Sequence, residues 1–496
     1  MTMRKQAGQT KKNTTTAAHK TTRRSAGTKT AAKSTPSKKA SANTGLISDL
    51  DCYLFGAGTH YEIYKKLGAH PMTYKGKKGI YFGVWAPHAQ AVHLVGDFNG
   101  WNPEANPMTK VGQSGIWEYF NAGMQVGELY KFAITTDTGK ILYKADPFAF
   151  SAEYRPGTAS VTADISGFSW NDSDWISKRS QADMTKQPIS IYEVHLGSWK
   201  KKDREEKDGY YTYVEAAHEL AAYVKEMGYT HVELMPLSEH PFDGSWGYQN
   251  TGFFAPTKRY GTPDKLMKFV DMMHQAGIGV IMDFVPVHFA VDGYGLKLYD
   301  GTPLYEYDNK DTGESEWGSC NFIHSRREVQ CFLQSAANYW LEEYHFDGIR
   351  MDAVSRLIYW QGDPARGVNG DTLEFLKNMN RGLKARHPSA LLIAEDSTAY
   401  PGVTRPVDEG GLGFDYKWDL GWMHDTLEFC QTQPDLRPRD HGKLLWSMHY
   451  FSNEHYLLPL SHDEVVHGKA AIVQKMWGAD ECDKYAQARV MYLYMF

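Results

Sequence analysis

The stretch HFDGIRMDAVSR, residues 345–356, sets Asp347, Arg350 and Asp352 inside a run that otherwise reads as buried. As a strand it turns Gly348, Arg350 and Asp352 to one face and Ile349, Met351 and Ala353 to the other. The same intrusion recurs downstream and upstream: Asp283 and His288 in DFVPVHF, Glu395 in LIAEDST, His462 and Asp463 in LPLSHDE. Burying one unpaired charge costs several kcal/mol, so such residues persist in apolar segments where they are paired or used. Any one of them could be half of a structural ion pair, Asp283 above all. Three carboxylates gathered with two histidines and an arginine suggest a reaction centre.

Two carboxylates on adjacent strands suit glycosidic bond cleavage. One attacks the anomeric carbon, and the other protonates the leaving oxygen and later deprotonates the acceptor. The retaining geometry needs roughly 5–5.5 Å between them, which neighbouring strands supply. Arg350, on the same face as Asp352, is expected to depress its pKa and keep it ionised as the nucleophile. Glu395 has no basic neighbour in IAEDS, so its pKa is expected to stay higher, as a general acid requires.

Such groups converge only if a parallel sheet holds them. From about residue 189 strand patterns alternate with helical ones, the strands being ISIYEVHLGSW, THVELMPL, GVIMDFVP, FDGIRMDAV, ALLIAEDS, FDYKWDLG and YLLPLSHDE. Between them, HELAAYVKEMG sets Leu220, Tyr223, Val224 and Met227 on one helical face, and LMKFVDMMHQAG does the same with Leu266, Phe269, Val270 and Met273. Val329, Phe332, Leu333, Ala336, Ala337, Trp340, Leu341 and Tyr344 continue the i, i+3, i+4, i+7 spacing through a third helix. This rhythm predicts an α/β fold over 189–496, a (β/α)8 TIM barrel whose chemistry sits at the C-terminal strand ends. Seven strands can be found and the chain stops within a helical pattern, QARVMYLYMF, so the last strand is expected to be missing.

The front of the chain has a different period. Residues 73–170 alternate in the manner of strands, with Asn99-Gly100 as a turn, and predict a small immunoglobulin-like β-sandwich. Residues 46–72 read as a lead-in and 171–188 as a linker. Residues 1–44 hold 11 Lys and Arg and no Asp or Glu, so a disordered basic tail is expected over 1–45. Against a formal net charge of −5, that tail leaves about −16 on the remainder, a poor match for a phosphate backbone, and no nucleic-acid partner is expected. The five cysteines are scattered without CxxC spacing, which favours a reducing cytoplasm and argues against structural zinc. No apolar run has membrane-spanning length, and the N-terminus lacks a secretory apolar core. The chain's 14 Trp and 31 Tyr suit a carbohydrate binder.

In order, DFVPVHF, DGIRMDAV, LIAEDST and LPLSHDE resemble the four signature regions of the α-amylase superfamily. The longer stretches IYEVHLGSW, ELMPLSEHPFDGSWGYQNTGFFAPTKRYGTPDKL, EDSTAYPGVTRPVDEGGLGFDYKWDLGWMHDTL and LPLSHDEVVHGK look like its 1,4-α-glucan (glycogen) branching enzymes, over about 46–496. The resemblance implies Asp352 as nucleophile, Glu395 as acid/base and Asp463 as the third carboxylate, holding sugar hydroxyls. It implies further that His288 and His462 bond the same sugar, that Arg350 orients Asp352, that Tyr248 stacks beneath the ring and that Asp283 supports the site. It makes the sandwich a carbohydrate-binding module, in which Trp101 and Trp117 could meet glucan while Trp85 reads as core. It implies α-glucan polymers such as amylose and glycogen as partners and a monomer with neither metal nor organic cofactor. The family's eighth strand and C-terminal β-domain have no counterpart in the sequence. A debranching relative similar to isoamylase, and a non-catalytic glycan-binding protein, are the competing expectations; SHDEVVHGK and the retained carboxylates weigh against them.

Overall fold

The structure is a computed structural model that describes residues 45–202, 208–466 and 468–496. The expected basic tail falls outside the described residues. Eight strands form the front: β1 (Gly68–Tyr74), β2 (Lys77–Trp85), β3 (Ala91–Gly96), β4 (Thr109–Lys110), β5 (Ile116–Ala122), β6 (Leu129–Thr135), β7 (Ile141–Lys144) and β8 (Ser160–Val161). One sheet has the order β1-β2-β5-β4; in the other β6 lies between β3 and β7 and also pairs with β8. Asn99-Gly100 does turn the chain, with Gly100 at φ +64; the returning segment meets β3 at the antiparallel His93–Pro107 bridge, where the Met108 amide donates to the Val92 carbonyl, but β4 itself pairs with β5 rather than β3. β3 crosses to β6 instead, which makes a sandwich of two sheets rather than a meander.

Seven short strands then form one parallel sheet: β9 (Ile191–Val194), β10 (His231–Leu234), β13 (Gly279–Phe284), β16 (Gly348–Met351), β17 (Leu391–Ala394), β18 (Tyr416–Trp418) and β19 (Tyr456–Leu457). The intervening numbers belong to the hairpin β11 (Ser238–Glu239) with β12 (Gly252–Pro256), and to β14 (His288–Phe289) with β15 (Cys320–Asn321), all outside the main sheet. Every neighbour in the seven-stranded sheet is sequential and parallel, the arrangement of a curled βα barrel wall, with β9 and β19 as its outer strands. Each of the seven strand patterns in the sequence contributes one strand.

The helices that cover this sheet follow their apolar spacing. In Pro263–Gln275, opened by proline at its first position, Leu266, Phe269, Val270 and Met273 are all fully buried. Arg327–Glu343 buries every residue from Val329 to Leu341 because sandwich-side and barrel-side neighbours enclose it. Tyr213–Met227 begins in a Thr212/Glu215 capping box and ends at a left-handed Gly228. Met227, expected on its inner face, is instead 54% exposed, since it occupies the last helical position, where the chain turns away at Gly228.

One apolar core runs through both parts. Trp85 of β2 meets Phe55 and Tyr305 edge-on at 5.6 and 5.8 Å, and Phe148 and Phe150 pack on Phe332 and Tyr339 at 5.3 Å. Lys144 closes the polar part of the seam, its Nζ donating to the carbonyls of Gly293, Gly295 and Lys297 at 2.6–3.1 Å. Burial pushes this lysine down to about 8. The stretch read as a linker forms a helix, Ser173–Gln181, pinned under the amino ends of the barrel strands. There His274 bridges Asp172 through Nδ1 at 2.9 Å and Asp347 through Nε2 at 2.8 Å, and Trp175 stacks on its ring. Trp175 Nε1 and Arg179 Nη1 also donate to Asp347 Oδ1.

Candidate active site

Strand register explains the site. Asp283 on β13 pairs with Arg350 on β16, and Met351 pairs with Ala394, so Asp352 and Glu395 both follow the last paired position of adjacent strands. Ala353, directly after Asp352, is left-handed at φ +48, and its amide donates to Glu395 Oε2 at 2.8 Å. The backbone of one strand end thus holds the carboxylate of the next. A non-glycine residue in this region carries strain that the surrounding contacts must offset, a recurring feature of functional sites.

Arg350 is the hub. Fully buried, it places Nη1 at 2.7 and 2.8 Å from the two oxygens of Asp283 and at 3.0 Å from Asp352 Oδ1, with Nη2 at 3.0 Å from Glu395 Oε2. Its guanidinium lies over the Trp418 indole, 4.4 Å from the ring centroid. Tyr248 donates to Asp283 Oδ2 at 2.6 Å, and its ring stacks on His462 at 5.4 Å, with Trp246 edge-on to the same imidazole at 5.6 Å. His462 is anchored from β9: Glu193 accepts from its backbone amide at 2.6 Å and contacts Nδ1 at 2.8 Å. Burial opposes charge on this imidazole, yet the Glu193 carboxylate holds it above its usual value.

The electrostatics correct one expectation. Arg350 does pull on Asp352, but burial and the carboxylates of Glu395 and Asp283 outweigh it and push the Asp352 carboxyl well above the usual range. Glu395, without a basic neighbour in sequence, has Arg350 beside it in space. Asp352 and Glu395 stand at adjacent strand ends, each in contact with the Arg350 guanidinium at 3.0 Å. Glu233, inside the sheet on β10, is 1% exposed with Oε1 unpartnered, and burial raises its carboxyl well above the usual range against the pull of Arg350.

Of the eight residues expected in the site, Tyr248, Asp283, Arg350, Asp352, Glu395 and His462 form one contact network. Asp463 lies at its rim, its side chain 54% exposed and Oδ1 3.5 Å from His462 Nε2. His288 sits to one side on β14, its ring 5.0 Å from Trp317 and its Nδ1 buried without a protein partner; burial, then Arg356, pushes it down to about 3. Glu193 and Trp418 were missed, though Glu193, an acid within IYEV, carried the signal that exposed Asp283. In the sandwich Trp117 is core, its Nε1 donating to the Ala86 carbonyl, whereas Trp101 stays partly exposed. No group of three metal-ligating side chains occurs among the described residues.

Residues 66–149 match the carbohydrate-binding module 48 (isoamylase N-terminal domain) family, and residues 217–295 match the alpha amylase catalytic domain. A 1,4-alpha-glucan branching enzyme GlgB of Butyrivibrio fibrisolvens is 50% identical over 462 residues, covering 91% of this chain and 72% of that protein. Its counterpart in Bacillus caldolyticus is 49% identical over 450 residues, covering 90% and 67%. Among solved structures, a putative alpha amylase from Salmonella typhimurium superposes with a TM-score of 0.59 at 23% identity, over 77% of this chain and 59% of that one. A GBS pullulanase bound to maltotetraose gives 0.52 at 19%, over 69% and 48%. At those identities the two structures share the fold alone.

Proposed function

This chain belongs to the 1,4-alpha-glucan branching enzyme family, and from that premise we propose that its cleft cuts an α-1,4-glucosidic bond and passes the freed glucan chain to a 6-hydroxyl, making an α-1,6 branch in glycogen. The observation that carries the residue assignment is one buried guanidinium in contact with Asp283, Asp352 and Glu395 at the ends of three consecutive sheet strands.

In the first step the Asp352 carboxylate attacks the anomeric carbon. The C1–O4 bond breaks as O4 takes the proton of Glu395, leaving the chain as a glucosyl ester on Asp352. In the second step Glu395, now ionised, takes the proton of an acceptor 6-hydroxyl, whose oxygen displaces the ester and restores both groups. The first step therefore requires Asp352 as the anion and Glu395 as the acid when glucan is bound. Arg350 favours that state by stabilising Asp352 as the anion. Asp463 and His288, at the rim and the side, are positioned to take sugar hydroxyls, while Tyr248, braced by Asp283 and His462, stacks beneath the sugar ring.

The protein's partners are α-glucan polymers; it works as a monomer in the cytoplasm, in keeping with five free cysteines. No helix among the described residues is long and apolar enough to cross a membrane. The test is product analysis on amylose. Branching removes iodine colour with almost no rise in reducing ends, and later debranching releases short chains. Iodine colour falling in step with reducing ends, with nothing released on debranching, would make the protein a hydrolase.

A further inference from the structure

The loop from Phe242 to Tyr248 supplies two aromatic rings of the cleft and has little freedom of its own. Asp243–Ser245 is a single 3-10 turn, Trp246 is left-handed at φ +50, and Gly247 stands at φ +94. A Cβ on Gly247 would lie 2.3 Å from the Pro236 carbonyl oxygen. Such a loop keeps its shape only as well as its anchors hold it. One anchor is Tyr248 itself, through Asp283 and His462. The other is Asp243, whose two oxygens are each taken by an arginine: Oδ1 by Arg259 Nε at 2.7 Å and Oδ2 by Arg155 Nη1 at 2.6 Å.

These arginines come from different parts of the protein. Arg259 is buried in the barrel and holds Glu239 through Nη1 at 2.7 Å. Arg155 belongs to the sandwich, in the segment between β7 and β8. The same guanidinium reaches Asp208 at 3.2 Å and lies over the Tyr210 ring, and the hydroxyl of Tyr154 donates to Asp208, so the bracket also takes in the barrel loop that follows β9. A cavity of about 40 Å³, lined in part by Glu153, Arg155, Glu239, His240 and Tyr294, lies between the sandwich segment and the β11–β12 hairpin of the barrel. The joint is thus ionic and has room for water, unlike the apolar seam beside Phe148 and Phe150.

We propose that Arg155 is a positioning residue for branch transfer: through Asp243 the sandwich fixes the loop that holds Trp246 and Tyr248 against His462. This rests on the assignment of Tyr248 and His462 to the site. Arg155 touches none of the reacting atoms. Its effect is on the placement of the rings against which the sugar is oriented, and misplacement by about 1 Å can cost up to 10²-fold in rate. Since Asp243 is 42% exposed, the ion pair itself adds little to global stability. Activity and folding should therefore respond differently to its loss.

The experiment measures kcat, KM and melting temperature on amylose for the full chain, for Arg155→Gln, for Asp243→Asn and for the double variant. Each single change should lower kcat about tenfold, leave KM within about twofold and move the melting temperature by less than about 4 °C. The double variant should be no slower than the slower single one, because both remove the same bracket. Arg155→Lys should recover part of the loss. An unchanged kcat in either single variant, or losses that multiply in the double one, would overturn the proposal. Asp352→Asn run alongside separates it from the site assignment: a dead Asp352→Asn with fully active bracket variants removes the bracket alone, while an active Asp352→Asn removes the site.

Discussion

The His274 clamp under the barrel can be tested through its proton. The imidazole is fully enclosed and touches Asp172 through one nitrogen and Asp347 through the other, with Trp175 stacked on its face. His345 shares Asp172, Arg179 shares Asp347, and His231 lies near enough to Asp347 to be felt. Burial disfavours the imidazolium, but the two carboxylates overcome this and raise the group from 6.5 to about 9. At roughly 1.4 kcal/mol per pH unit, this is about 3 kcal/mol of folding free energy carried by the protonated form. Because the folded protein holds the proton more tightly than the unfolded chain, the contribution is complete below about pH 6.5 and disappears as pH rises through about 9. Urea unfolding of the parent and of His274→Gln, at pH 6 and at pH 10, isolates this group from the lysines and tyrosines common to both. The stability gap between the two proteins should shrink by about 3 kcal/mol from pH 6 to pH 10. A gap independent of pH would mean that His274 is neutral in the folded protein, and the clamp would then be a pair of ordinary hydrogen bonds.

Other outcomes follow from the cleft. Asp352→Asn and Glu395→Gln should each keep the fold and lower turnover by about 10³-fold or more, measured as branch formation on amylose; near-normal turnover in either would remove that residue from its role. Arg350→Lys keeps the charge but cannot span Asp283, Asp352 and Glu395 at once; it should cost about 3 kcal/mol in urea unfolding together with most of the activity, and retention of both would show the hub to be a point charge only. Gly247→Ala must take a strained φ and displace the Pro236 carbonyl, so a loss of about 1–3 kcal/mol and a fall in kcat are expected, checked by thermal melts and initial rates.

Much of this was legible in the chain because charge inside an apolar strand is a local signal. Asp283, Arg350, Asp352 and Glu395 all stood out by interrupting runs with period two, and the strands that carry them followed from the same runs. What lay beyond reach depends on contacts between distant segments. Arg350 looked like a partner for Asp352 because the two are neighbours in sequence, yet it serves Asp283 and Glu395 as well, and the direction of the Asp352 shift is set by carboxylates from other strands. Trp117 could not be told from a sugar platform until its indole nitrogen was seen on the Ala86 carbonyl. Asp347 sat in the same quoted stretch as Asp352, five residues away, but the strand carries it to the opposite end of the sheet, where it meets His274 rather than substrate.

The shared core of the sandwich and barrel bears on how the protein comes apart. Phe148 and Phe150 reach across to Phe332 and Tyr339, and Trp85 reaches Tyr305, so each part supplies side chains that the other encloses. A cut between them would leave aromatic faces bare on both fragments, and neither would keep its shape as a free-standing piece. The two parts should therefore unfold together, and calorimetry should see one endotherm where two are usual for modules joined by a loose tether.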